Sequence, residues 1–445
     1  MQIAILSISG RIARCVYLAR SQFMQLIRHF FLASILAVMI SPAFATNGYL
    51  AHGYGIKSKG MAGAGVALPQ DSLIAATNPA GIAFTGNRFD GAAAVFSPRR
   101  SYEVKGSPSA PPQPALAPGK VDSDREYFVI PELGLTWQLD DHKAVGITLT
   151  GNGGMNTKYS SSDSTFGAGA SGIDLAQIFL APTFAYRFDN DASIGVSAVL
   201  AYQSFEAKGL NNFGGLSNDS TNLTDNGHDS SYGAGINLGF ILPVGQQVTL
   251  GGGYRSRVYM TEFDDYKGLF AEKGDFDIPA SGTIGLAWQT TDSLIVLLDV
   301  QKTWYSQIDS IGNSMMPAMG NCMMGNTGSC LGGNNGIGFG WDDMTTVKFG
   351  VQYEAKNDWT WRAGYSYGDQ PIPDSEVFFN ILAPGVMEEH FTVGFTKKIA
   401  GGSQEINFAA MYAPKQSVKG NISPSQTVEL EMEQYQLELG WSLLF

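Results

Sequence analysis

Val428-Glu429-Leu430-Glu431-Met432-Glu433-Gln434-Tyr435-Gln436-Leu437-Glu438-Leu439-Gly440-Trp441-Ser442-Leu443-Leu444-Phe445 ends the chain. Tyr435, Leu437, Leu439, Trp441, Leu443 and Phe445 share one parity, and Gln436, Glu438, Gly440 and Ser442 the other. Successive side chains of a β-strand point to opposite faces, so this is a strand greasy on one side and polar on the other. Further upstream the apolar parity is reversed: Val428, Leu430 and Met432 alternate with Glu429, Glu431 and Glu433. The phase slips between Met432 and Tyr435. A one-residue slip predicts either a bulge there or a strand that leaves a lipid band for solvent.

The same alternation recurs upstream. Ile194, Val196, Ala198, Leu200 and Tyr202 alternate with Gly195, Ser197, Val199 and Ala201. Val347, Phe349, Val351 and Tyr353 alternate with Lys348, Gly350, Gln352 and Glu354, and Trp359, Trp361, Ala363, Tyr365 and Tyr367 with Thr360, Arg362, Gly364 and Ser366. Short polar breaks at 140–142, 189–191, 243–245, 290–292, 356–358 and 401–403 read as tight turns. Between them lie long polar or Gly-rich stretches at 103–126, 152–172, 206–230, 262–277, 306–343, 370–389 and 414–426. Tight turns at one end and long loops at the other are the layout of outer-membrane barrels, and about 14 strands fit between the breaks. Lipid leaves edge amides unsatisfied, so the sheet must close on itself. The expected fold class is therefore all-β, a transmembrane antiparallel barrel over 88–445.

Composition agrees. Charged residues make up 15% of the chain, aromatic residues 11%, and there are 54 glycines, whereas soluble domains average about 25% charged. Arg28 and His29, the apolar run Phe30–Ile40 and Ser41-Pro42-Ala43-Phe44-Ala45 read as a cleaved export signal over 1–45, leaving Thr46 as the first mature residue. Met24 alone begins a more ordinary signal than Met1 does. Residues 1–45 hold four arginines and no acid, so a whole-chain charge of −12 leaves −16 on the remainder. Such an acidic surface excludes a nucleic-acid partner.

Residues 46–87 are small, flexible and weakly periodic, too many for a lead-in to the first strand and able to fill a lumen. They contain Asn47-Gly48-Tyr49, Lys59-Gly60-Met61-Ala62-Gly63-Ala64-Gly65-Val66-Ala67-Leu68-Pro69-Gln70-Asp71 and Ala76-Thr77-Asn78-Pro79-Ala80-Gly81. Together with Trp361-Arg362-Ala363-Gly364-Tyr365-Ser366-Tyr367, Gln370-Pro371-Ile372-Pro373-Asp374-Ser375 and Ile381-Leu382-Ala383-Pro384, this ordered set resembles the FadL/TodX family of outer-membrane transporters for long-chain fatty acids and hydrocarbons. The resemblance implies a 14-stranded barrel with an N-terminal hatch, matched residue by residue at Asn47, Gly48, Asn78, Pro79 and Ala80. It implies a ligand that lands in a groove among outer loops, moves to a pocket near the mature N-terminus and leaves sideways at a kinked strand. The implied partners are a fatty acid or hydrocarbon, outer-membrane lipids and lipopolysaccharide, and the barrel-insertion machinery, which reads a terminal aromatic such as Phe445. No cofactor is implied.

Arg255, Arg257, Lys348 and Arg362 have lumen parity and are candidates to hold a ligand carboxylate by a charge-assisted bond. Asp299 and Glu354 share that parity, and for any single one of these residues a ladder of ion pairs filling the barrel and anchoring the hatch is the favoured reading over a ligand contact. Met315, Met316, Met319, Met323 and Met324 lie in the longest loop and suit either an adaptable hydrophobic groove or packing on neighbouring loops. Cys322 and Cys330 among them read as a disulfide in an exported chain; no His joins them to make a copper site, and no metal is expected. The histidines are scattered, no G-x-S-x-G elbow occurs, and no catalytic residue is assigned. The expected function is passive uptake of long-chain fatty acids or related compounds. An aromatic-hydrocarbon channel of the same fold is the alternative, ahead of a lipolytic enzyme or an open porin.

Overall fold

The structure, a computed structural model, describes residues 46–108, 116–163, 165, 166 and 169–445. The expected signal segment 1–45, with both candidate starts, lies outside the described residues. Fourteen long strands follow one another around a single sheet. They are β1 (Arg88–Gly106), β2 (Phe128–Gln138), β3 (Lys143–Asn156), β4 (Gly172–Arg187), β5 (Ser193–Lys208), β6 (Asp229–Val244) and β7 (Val248–Arg255). The second half comprises β8 (Ser281–Thr291), β9 (Leu294–Thr303), β10 (Met344–Glu354), β11 (Trp359–Gly368), β12 (Glu389–Ile399), β13 (Gln404–Ser423) and β14 (Gln426–Leu444). β14 pairs antiparallel with β1 from Gln426 opposite Gly106 to Leu444 opposite Arg88, which closes the barrel. Among the described residues no helix is long and apolar enough to cross a membrane.

Outward positions carry exposed apolar side chains, such as Ile194, Val196 and Leu200 on β5, Val347, Phe349 and Tyr353 on β10, and Leu437, Leu439 and Trp441 on β14. Inward positions between them are small or polar: Ser197, Lys348, Gln352, Gln436 and Glu438 are buried. Apolar atoms facing lipid cost nothing, while polar atoms facing the lumen find partners there.

The apparent phase slip in the last strand has its reason in length rather than in a bulge. β14 runs its 19 residues in unbroken register with β1, and the irregularity belongs to β13, between Ala413 and Gln416. β1 and β13 are 19 and 20 residues long, about twice the 9–11 needed to span a bilayer. Above the membrane the two environments exchange places, with water outside and packed loops inside. Val428, Leu430 and Met432 therefore point inward into an apolar core, and Glu429, Glu431 and Glu433 face out. The stretch 414–426 is accordingly not a long loop. β13 continues to Ser423 and turns tightly into β14 at Gln426.

Residues 46–84 lie against the inward face of the wall and are fixed to many strands by buried polar contacts. Lys59 Nζ sits 2.8 Å from Glu132 of β2 and 3.2 Å from Glu438 of β14. Lys57 pairs with Glu405 of β13 at 2.6 Å, and Arg88 of β1 bridges Asp90 and the same Glu405 at 2.7 and 3.0 Å. Asp299 of β9 accepts the backbone N–H groups of Gly65 and Val66 at 2.7 and 2.9 Å. Asn78 caps the short 3-10 helix Pro79–Phe84 by accepting from Ala80 N, and donates to the carbonyls of Val66 and Phe240. That closeness needs glycine on the wall. A Cβ at Gly239 would meet Asn78 Oδ1 at 2.1 Å, and one at Gly195 would meet Pro79 C at 2.4 Å.

These contacts predict a measurable coupling. Lys59→Met leaves two buried carboxylates without their cation and should cost about 3–5 kcal/mol. Hydrogen exchange of amides 56–66 should accelerate in that variant and recover when Glu132→Gln and Glu438→Gln are added. A single variant as protected as the native protein would contradict the ion-pair anchor.

Candidate functional site

The upper lumen is filled by aromatic side chains from the N-terminal segment and the outer loops. The Tyr49 ring lies 5.4 Å from Tyr305, 5.9 Å from Trp341 and 6.2 Å from Phe276. Phe270 joins Phe276 to Phe205 of β5 at 4.7 and 4.6 Å. Tyr305 donates its hydroxyl hydrogen to the Asn47 carbonyl. Gly48 beside it holds φ +66°, and a Cβ there would come within 2.6 Å of the Tyr305 oxygen. Asn47-Gly48 is thus a glycine turn folded against a tyrosine, which accounts physically for that part of the sequence pattern. Thr46 N donates to Gln434 Oε1 of β14 at 3.2 Å.

Below this chamber the four candidate cations separate. Arg255, the last residue of β7, is buried; its Nη1 donates to Asn152 Oδ1 at 2.7 Å and Tyr54 OH at 3.3 Å, and the guanidinium lies 5.0 Å from the Phe179 ring centre. Lys348 of β10, also buried, donates to the His52 carbonyl at 2.8 Å. The two line the same small cavity, about 30 Å³, together with Leu50, Tyr54, Thr77 and Gln301. Arg362 of β11 lies elsewhere and is satisfied by Gln70, Gln352 and Thr396 at 3.0, 2.8 and 2.7 Å. Among the described residues no carboxylate comes within 4.0 Å of Arg255, Lys348 or Arg362.

Arg257 is not part of this group. β7 ends at Arg255, so shared parity does not carry Arg257 into the cavity. It binds Asp277 and, at 3.4 Å, Asp275 in the outer loop. Burial, and then the neighbouring Asp277, push the Asp275 carboxyl up to about 7, while the pair of acids raises the Arg257 guanidinium above its ordinary value against the effect of desolvation. Glu354 stands exposed at the short-turn end of β10.

Beside Arg255 the wall is broken. β2 and β3 share a ladder only from Gln138 opposite Ala144 to Glu132 opposite Thr150. Beyond it, Phe128–Pro131 pair with β1 alone. β3 bulges at Asn152, where its register with β4 shifts between Gly151 and Gly153, and turns to the N-terminal segment: Gly153 pairs with Leu50 and Gly154 N donates to Tyr49 O. Asn152, the bulged residue, is the one that holds Arg255.

The methionine cluster divides across a helix, Met315–Met323. Met315 and Met319 are buried in the apolar core, whereas Met316, Met323 and Met324 are exposed, Met324 to 80%. Cys322 and Cys330 are bonded, eight positions apart. Cys322 is in the last turn of the helix, so the bridge closes a local ring there rather than the neck of the loop. Ser366 and His390 meet at 3.3 Å, but both are fully buried in the lumen, and His52 stacks 5.7 Å from His390. Among the described residues no carboxylate is hydrogen-bonded to either His390 nitrogen, so this is a core contact rather than a nucleophile pair.

Closed barrel, lipid-facing band, polar lumen and broken ladder together define an outer-membrane transport barrel. The family profile described as "Outer membrane protein transport protein (OMPP1/FadL/TodX)" matches residues 37–437, and the chain belongs to that family. Among solved structures, a Pseudomonas aeruginosa FadL homologue is similar with TM-score 0.65 and 16% identity, covering 89% of this chain and 99% of its own. The Pseudomonas putida toluene transporter TodX gives TM-score 0.65 and 19% identity over 90% and 100% of the two chains. The Ralstonia pickettii toluene transporter TbuX gives 0.59 and 16% over 88% and 99%. At these identities the likeness is one of fold. Comparison with curated proteins finds no match.

The bonded cysteines set a chemical expectation: unfolded, unreduced protein should show no free thiol at positions 322 and 330 by quantitative labelling. Two labelled thiols per mature chain would contradict the bridge.

Proposed function

We propose that the protein carries long-chain fatty acids or closely related hydrophobic compounds passively across the outer membrane, with residues 46–87 acting as a hatch and release occurring sideways between β2 and β3. The observation that carries this reading is the pair Arg255 and Lys348, two buried cations on one cavity beneath an aromatic chamber: among the described residues Arg255 has no carboxylate within 4.0 Å, and Asp299, opposite Lys348, accepts the backbone N–H groups of Gly65 and Val66. A charge buried without its counter-ion costs several kcal/mol, and a ligand carboxylate offsets that cost. The acyl chain supplies about 0.8 kcal/mol for each methylene buried. The exposed Met316, Met323 and Met324 suit the first contact with such a chain. The hatch obstructs the way down, and the unpaired edges of β2 and β3 offer the nearest way out.

Uptake of an uncharged aromatic hydrocarbon is the second reading. The rings of Tyr49, Phe276, Tyr305 and Trp341 favour it, and two of the similar structures are toluene transporters. In either case Phe445, exposed at the chain end and 5.8 Å from the Trp137 ring, is the residue for the insertion machinery to read, and lipids with lipopolysaccharide surround the band. Export by a signal cleaved after Ala45 makes Thr46 the terminus held by Gln434.

Arg255→Gln and Lys348→Gln should each weaken oleate binding about tenfold or more, the worth of a charge-assisted hydrogen bond. Binding of a neutral alkane of equal length should stay unchanged, and Arg257→Gln should alter neither. Equal losses for both ligands, or none, would sink the carboxylate clamp and make a neutral hydrocarbon the better substrate.

A further inference from the structure

Besides Arg362, another buried cation without a close carboxylate, Arg100, lies outside the Arg255–Lys348 cavity. Arg100 is on the inward face of β1, beyond the point where β2 begins with Phe128 opposite Phe96. Its Nη1 reaches across the head of β2 and donates to the carbonyl of Asn156, the last residue of β3, and at 3.5 Å to that of Arg125. The guanidinium is thus a lintel over the place where the β2–β3 ladder is missing. Among the described residues no carboxylate lies within 4.0 Å of it, and its Nε and Nη2 make no hydrogen bond. Beside it, Asn156 Oδ1 is buried with no partner, and the Phe128 ring centre is 6.0 Å from the guanidinium carbon.

The height of Arg100 is as informative as its isolation. The outward-facing rings of Tyr412 and Tyr435, 5.2 Å apart, mark the aromatic belt on this side of the barrel. Tyr435 is opposite Ser97 of β1, and Met432 is opposite Arg100. Arg100 is therefore about 10 Å further along the strand than the belt, at the level of lipid headgroups. An amphiphile leaving sideways slides its apolar tail into hydrocarbon while its carboxylate stays at that level.

We propose that Arg100 is a second carboxylate-binding station, at the outer lip of the opening, that receives the headgroup of a long-chain acid as its tail enters the bilayer. The proposal rests on the lateral-release reading above. It differs from the cavity below in acting on transfer rather than on equilibrium capture.

The test uses the full-length protein in proteoliposomes, with oleate and 1-octadecene as probes. Arg100→Gln should slow oleate transfer about tenfold, leave 1-octadecene transfer unchanged, and leave oleate binding to the detergent-solubilised protein unchanged. Arg100→Lys should restore most of the rate, since a point charge still attracts a carboxylate. Equal slowing of both probes would mean that Arg100 is only a strut, and no slowing that it does nothing; either overturns the station. A second variant, Pro131→Cys with Gly151→Cys cross-linked across the broken ladder, separates the two readings. Transfer of both probes should stop. If the cross-linked barrel transfers both at the original rate, the lateral route and the station fall together. If it stops both while Arg100→Gln shows no selectivity, the station alone falls.

Discussion

A charge taken out of water has to find another charge, and the interior of this barrel is organised by that requirement. Glu132, Glu405 and Glu438 stand on three different strands with their carboxylates pointing into a lumen that holds Lys57 and Lys59. Because the lysines belong to the N-terminal segment and the acids to the wall, pairing them fixes the segment across the lumen. Asp299 does the same through two backbone N–H groups, and the inward glycines 195 and 239 let the segment approach closely enough for these bonds to form. On the proposed reading, complete pairing holds the segment as a plug, and Arg255 and Arg100, which have no carboxylate within 4.0 Å among the described residues, are where a ligand has something to offer.

Along each long strand the environments of the two faces change with height. In the lower half lipid is outside and a polar lumen inside; in the upper half water is outside and an aromatic chamber inside. One strand therefore carries both patterns without any break in its register, as β14 does against β1. The exchange creates an apolar compartment at the outer end of a barrel whose inner end is ionic. On the proposed reading it also gives the direction of travel: an acyl chain is gathered by the chamber, its carboxylate is held by the cations beneath, and the bulge at Asn152 joins that cavity to the gap in the wall.

Much of this was legible in the sequence. Period-two patterning and the alternation of tight turns with long loops gave the closed barrel and its 14 strands, because lipid enforces both. The 428–433 inversion was visible, but whether it was a bulge or a change of environment depends on the neighbouring strand and cannot be decided from one strand. Parity placed Arg255, Lys348 and Arg362 correctly on the lumen side, and it misplaced Arg257, because parity holds only while the strand does. Parity also placed Asp299 on the lumen side, whereas Glu132, Glu405 and Glu438 were not singled out as anchors, although Glu438 alternates with Leu437 and Leu439 and so had to face inward. Lys57 and Lys59 in a glycine-rich run were the matching signal. The strand break was not legible, since it arises from a contact between Gly153 and Leu50, about 100 residues apart in the chain.

The central claim is that residues 46–87 seal the lumen, so that passage has to be sideways. Single-channel recording in planar bilayers measures the seal directly, comparing the full-length protein with one lacking those residues. The full-length barrel should be silent to ions and the shortened one should conduct continuously. Equal conductance of the two would contradict the claim.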